Sequence, residues 1–186
     1  TVSSASIDLG TGTNTLTLAS GANSLAASGV ATITGSSSSD ALTLTNAQSG
    51  TTIALGAGTD TLTLAAGGNT VTVTGAETIV GGAGTDAVTL GSAGAVTVSG
   101  IETLVGSSGD DDVTLAATVS GAAVNLGGGT NTLTLAAGAN QQGVDLDTVD
   151  LGRQSHARQR AKGLDGGFDV GLRLAAVAGE QTVSAQ

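Results

Sequence analysis

A short phrase, fullest in Gly82-Ala83-Gly84-Thr85-Asp86-Ala87-Val88-Thr89-Leu90, recurs along this 186-residue chain, with its anchoring Asn or Asp at Asn14, Asp40, Asp60, Asp86, Asp111 and Asn131. The intervals are 26, 20, 26, 25 and 20 residues. Self-similarity on this scale constrains the fold more than any single residue can. Each unit is too short to bury its own apolar face, so its neighbours must cover it, which gives a solenoid or array rather than one globular core.

Two residues after each anchor stands Leu16, Leu42, Leu62, Val88, Val113 or Leu133, and four after it always Leu: Leu18, Leu44, Leu64, Leu90, Leu115 and Leu135. Between them lies Thr17, Thr43, Thr63, Thr89, Thr114 or Thr134. Apolar residues two apart around a β-branched polar residue have the period of a half-buried strand, Leu inward and Thr outward. Further strands read in Thr52-Ile53-Ala54-Leu55, Thr70-Val71-Thr72-Val73-Thr74, Val96-Thr97-Val98 and Ala123-Val124-Asn125-Leu126. The units of 25 or 26 residues add Ala31-Thr32-Ile33-Thr34, Glu77-Thr78-Ile79-Val80 and Glu102-Thr103-Leu104-Val105. Gly-rich corners between strands supply the positive φ of tight turns. The expected fold is all-β, a right-handed parallel β-solenoid of β-roll or β-helix type with about six coils of two or three strands, over residues 1–151.

The interior of such a coil must be filled by small and branched side chains, because the whole chain holds one aromatic residue, Phe168. Charge divides it in two. All five Lys and Arg follow position 152, whereas residues 1–152 carry twelve acids and no base. An anionic array repels nucleic acid and anionic membranes and attracts divalent cations. No apolar run approaches a bilayer-spanning length, no Sec-type signal is present, and zero Cys excludes a disulfide frame or a thiolate metal site. Residues 1–19 align without gaps on residues 118–136, so the chain reads as starting inside a repeat, as a piece of a longer array would. Residues 152–186, basic and without the repeat, read as a cap or linker at the end of the array, with Arg153–Lys162 free to dock on its acids.

Stacked coils are expected to set Asp40, Asp60, Asp86 and Asp111 in one row about 5 Å apart, where bare carboxylates repel by about 1 kcal/mol per neighbour in water-like dielectric. A calcium ion would relieve that repulsion, since it takes hard oxygen ligands and a Gly-rich corner exposes carbonyls beside the Asp. The alternative is that Asn and Asp cap the corners by bonding backbone. Gly81 to Thr89 resembles the nonapeptide of the repeats-in-toxin family, Gly-Gly-x-Gly-x-Asp-x-apolar-x, at every defined position, with partial copies at Gly56–Thr63, Gly106–Thr114 and Gly35–Thr43. The resemblance implies a parallel β-roll that folds on binding calcium outside the cell, through tandem copies nine residues apart, whereas the anchors here lie 20 to 26 apart. It extends to Thr- and Gly-rich β-strand repeat proteins of bacterial surfaces, including adhesin stalks and S-layer proteins. The candidate metal ligands are Asp40, Asp60, Gly82, Gly84, Asp86, Gly109 and Asp111.

Asp110-Asp111-Asp112 is a second acidic cluster, and Glu77 and Glu102 occupy equivalent places in two of the longer units. A surface ladder offers no cleft to hold two carboxylates across a substrate, and the lone His156 has no triad or metal spacing around it, so no enzyme is expected. The function expected is structural: a calcium-stabilised section of an exported bacterial surface protein, extracellular or cell-bound, able to stack end to end as a homo-oligomer or filament. The rival is recognition of ice or carbohydrate by the outward Thr, among which Thr15, Thr61 and Thr132 extend the column of Thr17.

Overall fold

The computed structural model describes residues 1–117 and 122–136. The expected cap at 152–186 and the irregular end of the array lie outside these residues. Fifteen strands follow one another: β1 (Ser3–Asp8), β2 (Thr15–Thr17), β3 (Asn23–Ser28), β4 (Thr32–Ser36), β5 (Asp40–Leu44), β6 (Ser49–Gly56), β7 (Thr61–Thr63) and β8 (Thr70–Thr74). The rest are β9 (Thr78–Val80), β10 (Ala87–Leu90), β11 (Gly94–Ser99), β12 (Thr103–Val105), β13 (Asp111–Leu115), β14 (Ala123–Asn125) and β15 (Thr132–Thr134). Odd-numbered strands form one eight-stranded sheet and even-numbered strands one seven-stranded sheet, in chain order. All pairings are parallel, and each strand pairs with those two before and two after it. This is a parallel β-solenoid of about seven turns with two strands per coil.

Inward side chains stack in columns between the two sheets. Leu25, Leu42, Leu62, Ile79, Val98 and Leu115 align across successive coils of the eight-stranded sheet. Leu16, Ile33, Ile53, Val73 and Leu90 align across the seven-stranded sheet. Aliphatic burial here takes the place of the missing aromatics, at about 1.5 to 3 kcal/mol for each fully buried Leu, Ile or Val. Nine of the twelve expected core Leu and Val are buried. Leu16, Leu133 and Leu135, in the first and last coils of the described residues, are half-buried against the core.

The expectation of six coils is corrected here, and the reason is parity. An interval of 20 contains two strands and returns the anchor to the same sheet, whereas one of 25 or 26 contains three and moves it to the opposite sheet. The half-coil is the true repeat. Its anchor positions fall at 14, 23, 31, 40, 48, 60, 69, 77, 86, 94, 102, 111, 122 and 131, nearly all eight or nine apart. The nonapeptide period is therefore present, hidden because Asn23, Ala31, Gln48, Asn69, Glu77, Gly94, Glu102 and Ala122 replace Asp at alternate anchors.

Candidate functional site: an axial side-chain ladder at the corners

Asn23, Asp40, Asp60, Asn69, Asp86, Asp111 and Asn131 stand at or one residue before the start of a strand, and their side chains are buried in the corner. Asp60 and Asp86 are 0 % exposed and Asp40 and Asp111 1 % exposed, which requires that their oxygens find donors inside the protein. The donors come from the neighbouring coil. On the eight-stranded side Val2 N–H donates to Asn23 Oδ1 at 2.8 Å, Asn23 N–H to Asp40 Oδ1 at 3.0 Å, and Asp40 N–H to Asp60 Oδ1 at 2.6 Å. Asp60 N–H then donates to Glu77 Oε2 at 2.6 Å. On the opposite side Gln48 N–H donates to Asn69 Oδ1, Asn69 N–H to Asp86 Oδ1 and Asp86 N–H to Glu102 Oε2, at 2.9, 3.0 and 2.8 Å. A final rung runs from Asp111 N–H to Asn131 Oδ1 at 2.9 Å.

The second atom of each anchor reads its own corner. In Asp40, Asp86 and Asp111, Oδ2 accepts the N–H four residues earlier, from Ser36, Gly82 and Ser107 at 2.8, 3.0 and 2.8 Å. In Asn23, Asn69 and Asn131, Nδ2 instead donates to carbonyls of the corner: Ala19 and Gly21, Ala65 and Gly67, and Leu126, Gly127 and Gly128. Asn23 and Asn69 Nδ2 also donate to Asp40 and Asp86 Oδ1, both at 2.7 Å. The choice between Asp and Asn thus follows whether the corner turns an N–H or a carbonyl inward.

Asp60 breaks the pattern. Its Oδ2 accepts nothing from the residue four before it, Gly56, and is buried without a partner. Burial raises the Asp60 carboxyl above its ordinary value of 3.8, the Asp40 N–H opposes this, and the charges of Glu77 and Asp40 add to the rise.

The expected single row of four aspartates is corrected to two rows. Asp40, Asp60 and Asp111 lie on the eight-stranded side and Asp86 on the other, and only Asp40 and Asp60 are neighbours. Gly82, Gly84 and Gly109 have a packing reason. A Cβ on Gly84 (φ +129°) would lie 2.6 Å from the Gly67 backbone, one on Gly82 would collide with Ala65 O, and one on Gly109 would lie 2.8 Å from Ala93 Cβ. The triple aspartate divides: Asp110 Oδ1 accepts Thr130 N–H at 2.7 Å, Asp111 is a ladder residue and Asp112 is exposed on the outer face. Glu77 and Glu102 sit on opposite sides, each ending a run of the ladder.

Most of the carboxylate oxygens that a calcium ion would take are already engaged at these corners. The ion needs six to eight oxygens converging on one point, whereas the carboxylate oxygens of Asp40 and Asp86 are turned onto main-chain N–H groups and those of Asp111 onto the N–H and hydroxyl of Ser107. Asp60 offers one free oxygen, and no group of three or more His, Cys, Asp or Glu among the described residues is placed to hold a metal. The alternative weighed from sequence, that Asn and Asp cap the corners through backbone, describes the geometry. The axial half of that bonding, from coil to coil, was missed, although Asn23 and Asn69, nine residues from Asn14 and Asp60, carry its signal. No family model, curated protein or solved structure matches the chain.

Proposed function

We propose that this array is a non-catalytic structural section of an exported bacterial surface protein, such as an adhesin stalk, an S-layer or an extracellular fibre, and that it holds its fold without calcium. One observation carries the reading: the polar anchors of the array are spent on joining each coil to the next or closing its corner. Glu77 and Glu102, the pair that could have worked as acid and base, accept main-chain N–H groups on opposite sides. The eight- or nine-residue half-coil supports kinship with β-roll repeats, and the ladder takes over the cohesive role expected of the ion. End-to-end stacking belongs to the same reading: among the described residues β1 and β2 are edge strands of their sheets, and an edge strand can pair with a further strand.

The test is circular dichroism and thermal melting of the chain after chelation, titrated with calcium and, in parallel, with magnesium. The expected result is full strand content in chelator and the same melting curve with either ion at matched ionic strength. Strand content that rises with calcium alone would overturn the calcium-free part of the reading, and filaments absent at high protein concentration in electron micrographs would remove end-to-end stacking.

A further inference from the structure

The outer faces of the two sheets differ in a way that the structural role does not require. On the seven-stranded sheet Thr15, Thr32, Thr52, Thr72 and Thr89 are register partners through five consecutive coils, and the one register shift at these joints, between Ser49 and Thr51, lies ahead of the column. Beside them runs a second column, Thr17, Thr34, Ala54 and Thr74. Three coils therefore present Thr-x-Thr side by side or one coil apart: Thr15/Thr17, Thr32/Thr34 and Thr72/Thr74. No outward position of these seven strands is charged, in a stretch of chain, 15–125, with eight acids. The ordinary use of Thr on a solvated strand predicts a face interspersed with charges. The eight-stranded sheet is closer to that: it carries Asp8 and Asp112 outward, and its own Thr column (Thr61, Thr78, Thr97, Thr114, Thr134) is half-buried throughout.

We infer that the Thr face of the seven-stranded sheet binds crystalline water. Its hydroxyl and methyl groups repeat about every 4.8 Å across the coils and about every 6.7 Å along each strand, and β-branching restricts each Thr at χ1, so the array is ordered before anything binds. A surface that repeats in two dimensions is matched by a ligand that also repeats in two dimensions. The absence of charge removes ions, nucleic acid and charged peptides as that ligand, and the absence of any aromatic ring before Phe168 removes the stacking platforms that sugars use. Ice supplies an uncharged lattice of donors and acceptors, and the methyl groups between the hydroxyls hold its first layer against apolar surface. The inference does not depend on the surface-protein reading, since the same face would act on a free chain.

The experiment measures thermal hysteresis and partition into slowly grown ice for the full chain, for Thr52→Lys and the shape-preserving Thr52→Val, and for Thr97→Lys on the opposite face, with circular dichroism and sedimentation on each. The expected result is that the parent chain and Thr97→Lys enter ice and depress freezing, while Thr52→Lys loses most of both effects and Thr52→Val part of them, all four with the same strand content. Exclusion of the parent chain from ice overturns the inference, as does an equal loss in Thr97→Lys. Self-association abolished by Thr52→Lys, or binding to crystalline polysaccharide without binding to ice, assigns the face to a different partner and likewise overturns it.

Discussion

At the residue scale, one corner position decides between Asp and Asn by the polarity of the backbone that it meets. Asp86 accepts from the main-chain N–H groups of Asn69 and Gly82 and from Asn69 Nδ2, so Asp86→Asn sets an amide N–H₂ against at least one donor and should cost about 1 to 3 kcal/mol. Asp86→Ala leaves both main-chain donors buried without a partner and should cost about 2 to 5 kcal/mol, measured by urea denaturation. Asp60 behaves oppositely, because its carboxylate is buried with one oxygen unsatisfied. Its folded pKa is raised, so the folded state holds the proton more tightly than the unfolded chain. That contribution is fully present below the ordinary value of 3.8 and is lost as pH rises through the raised folded value. Asp60→Asn, which keeps an acceptor for Asp40 N–H, should therefore melt higher than the parent at neutral pH. The gap should close on acidification, and a gap that stays constant with pH would show that the buried charge is not its cause.

At the scale of the element, strand and corner alternate because Leu-Thr-Leu has a period of two and the corner glycines allow coils to approach closely. The strands were legible for this reason: β5, β7, β8, β10 and β13 lie where the alternating Thr and aliphatic residues placed them. The assignment of strands to sheets was not, because it turns on counting half-coils whose anchors are Asn23, Gln48, Glu77 or Gly94, residues that do not look like Asp. The same substitutions hid the ladder, since a hydrogen bond between positions 17 to 21 residues apart leaves no periodic mark except the anchor itself. Gly84 tests the corner. With φ at +129° and the Gly67 backbone against the place of its Cβ, Gly84→Ala combines backbone strain with a clash between coils. It should lower stability by about 2 to 4 kcal/mol. Gly50→Ala, where φ is +72° but the space is open, isolates the strain and should cost about 1 to 2 kcal/mol.

On the scale of the whole molecule, coils touch only their neighbours, so cohesion is a chain of joints and the weakest joint sets where the array opens. The two ladder runs are offset. The eight-stranded side is bonded continuously from Val2 to Glu77 and the seven-stranded side from Gln48 to Glu102, so the second run spans the place where the first one ends. Between the coil of β11 and β12 and the coil of β13 and β14 neither run continues. Gly94 faces Asp111 without a side chain, Ala122 stands where Glu102 would need an acceptor, and among the described residues backbone pairing alone crosses the joint on both sides. Residues 111–117 and 122–136 should therefore exchange their amide hydrogens as one unit at a lower opening free energy than residues 32–90. Asn131→Ala, which cuts the rung from Asp111 N–H to Asn131 Oδ1, should lower its protection further and leave protection across 32–90 unchanged. Equal loss of protection along the array would mean that the main-chain sheets, and not the ladder, set cooperativity from coil to coil.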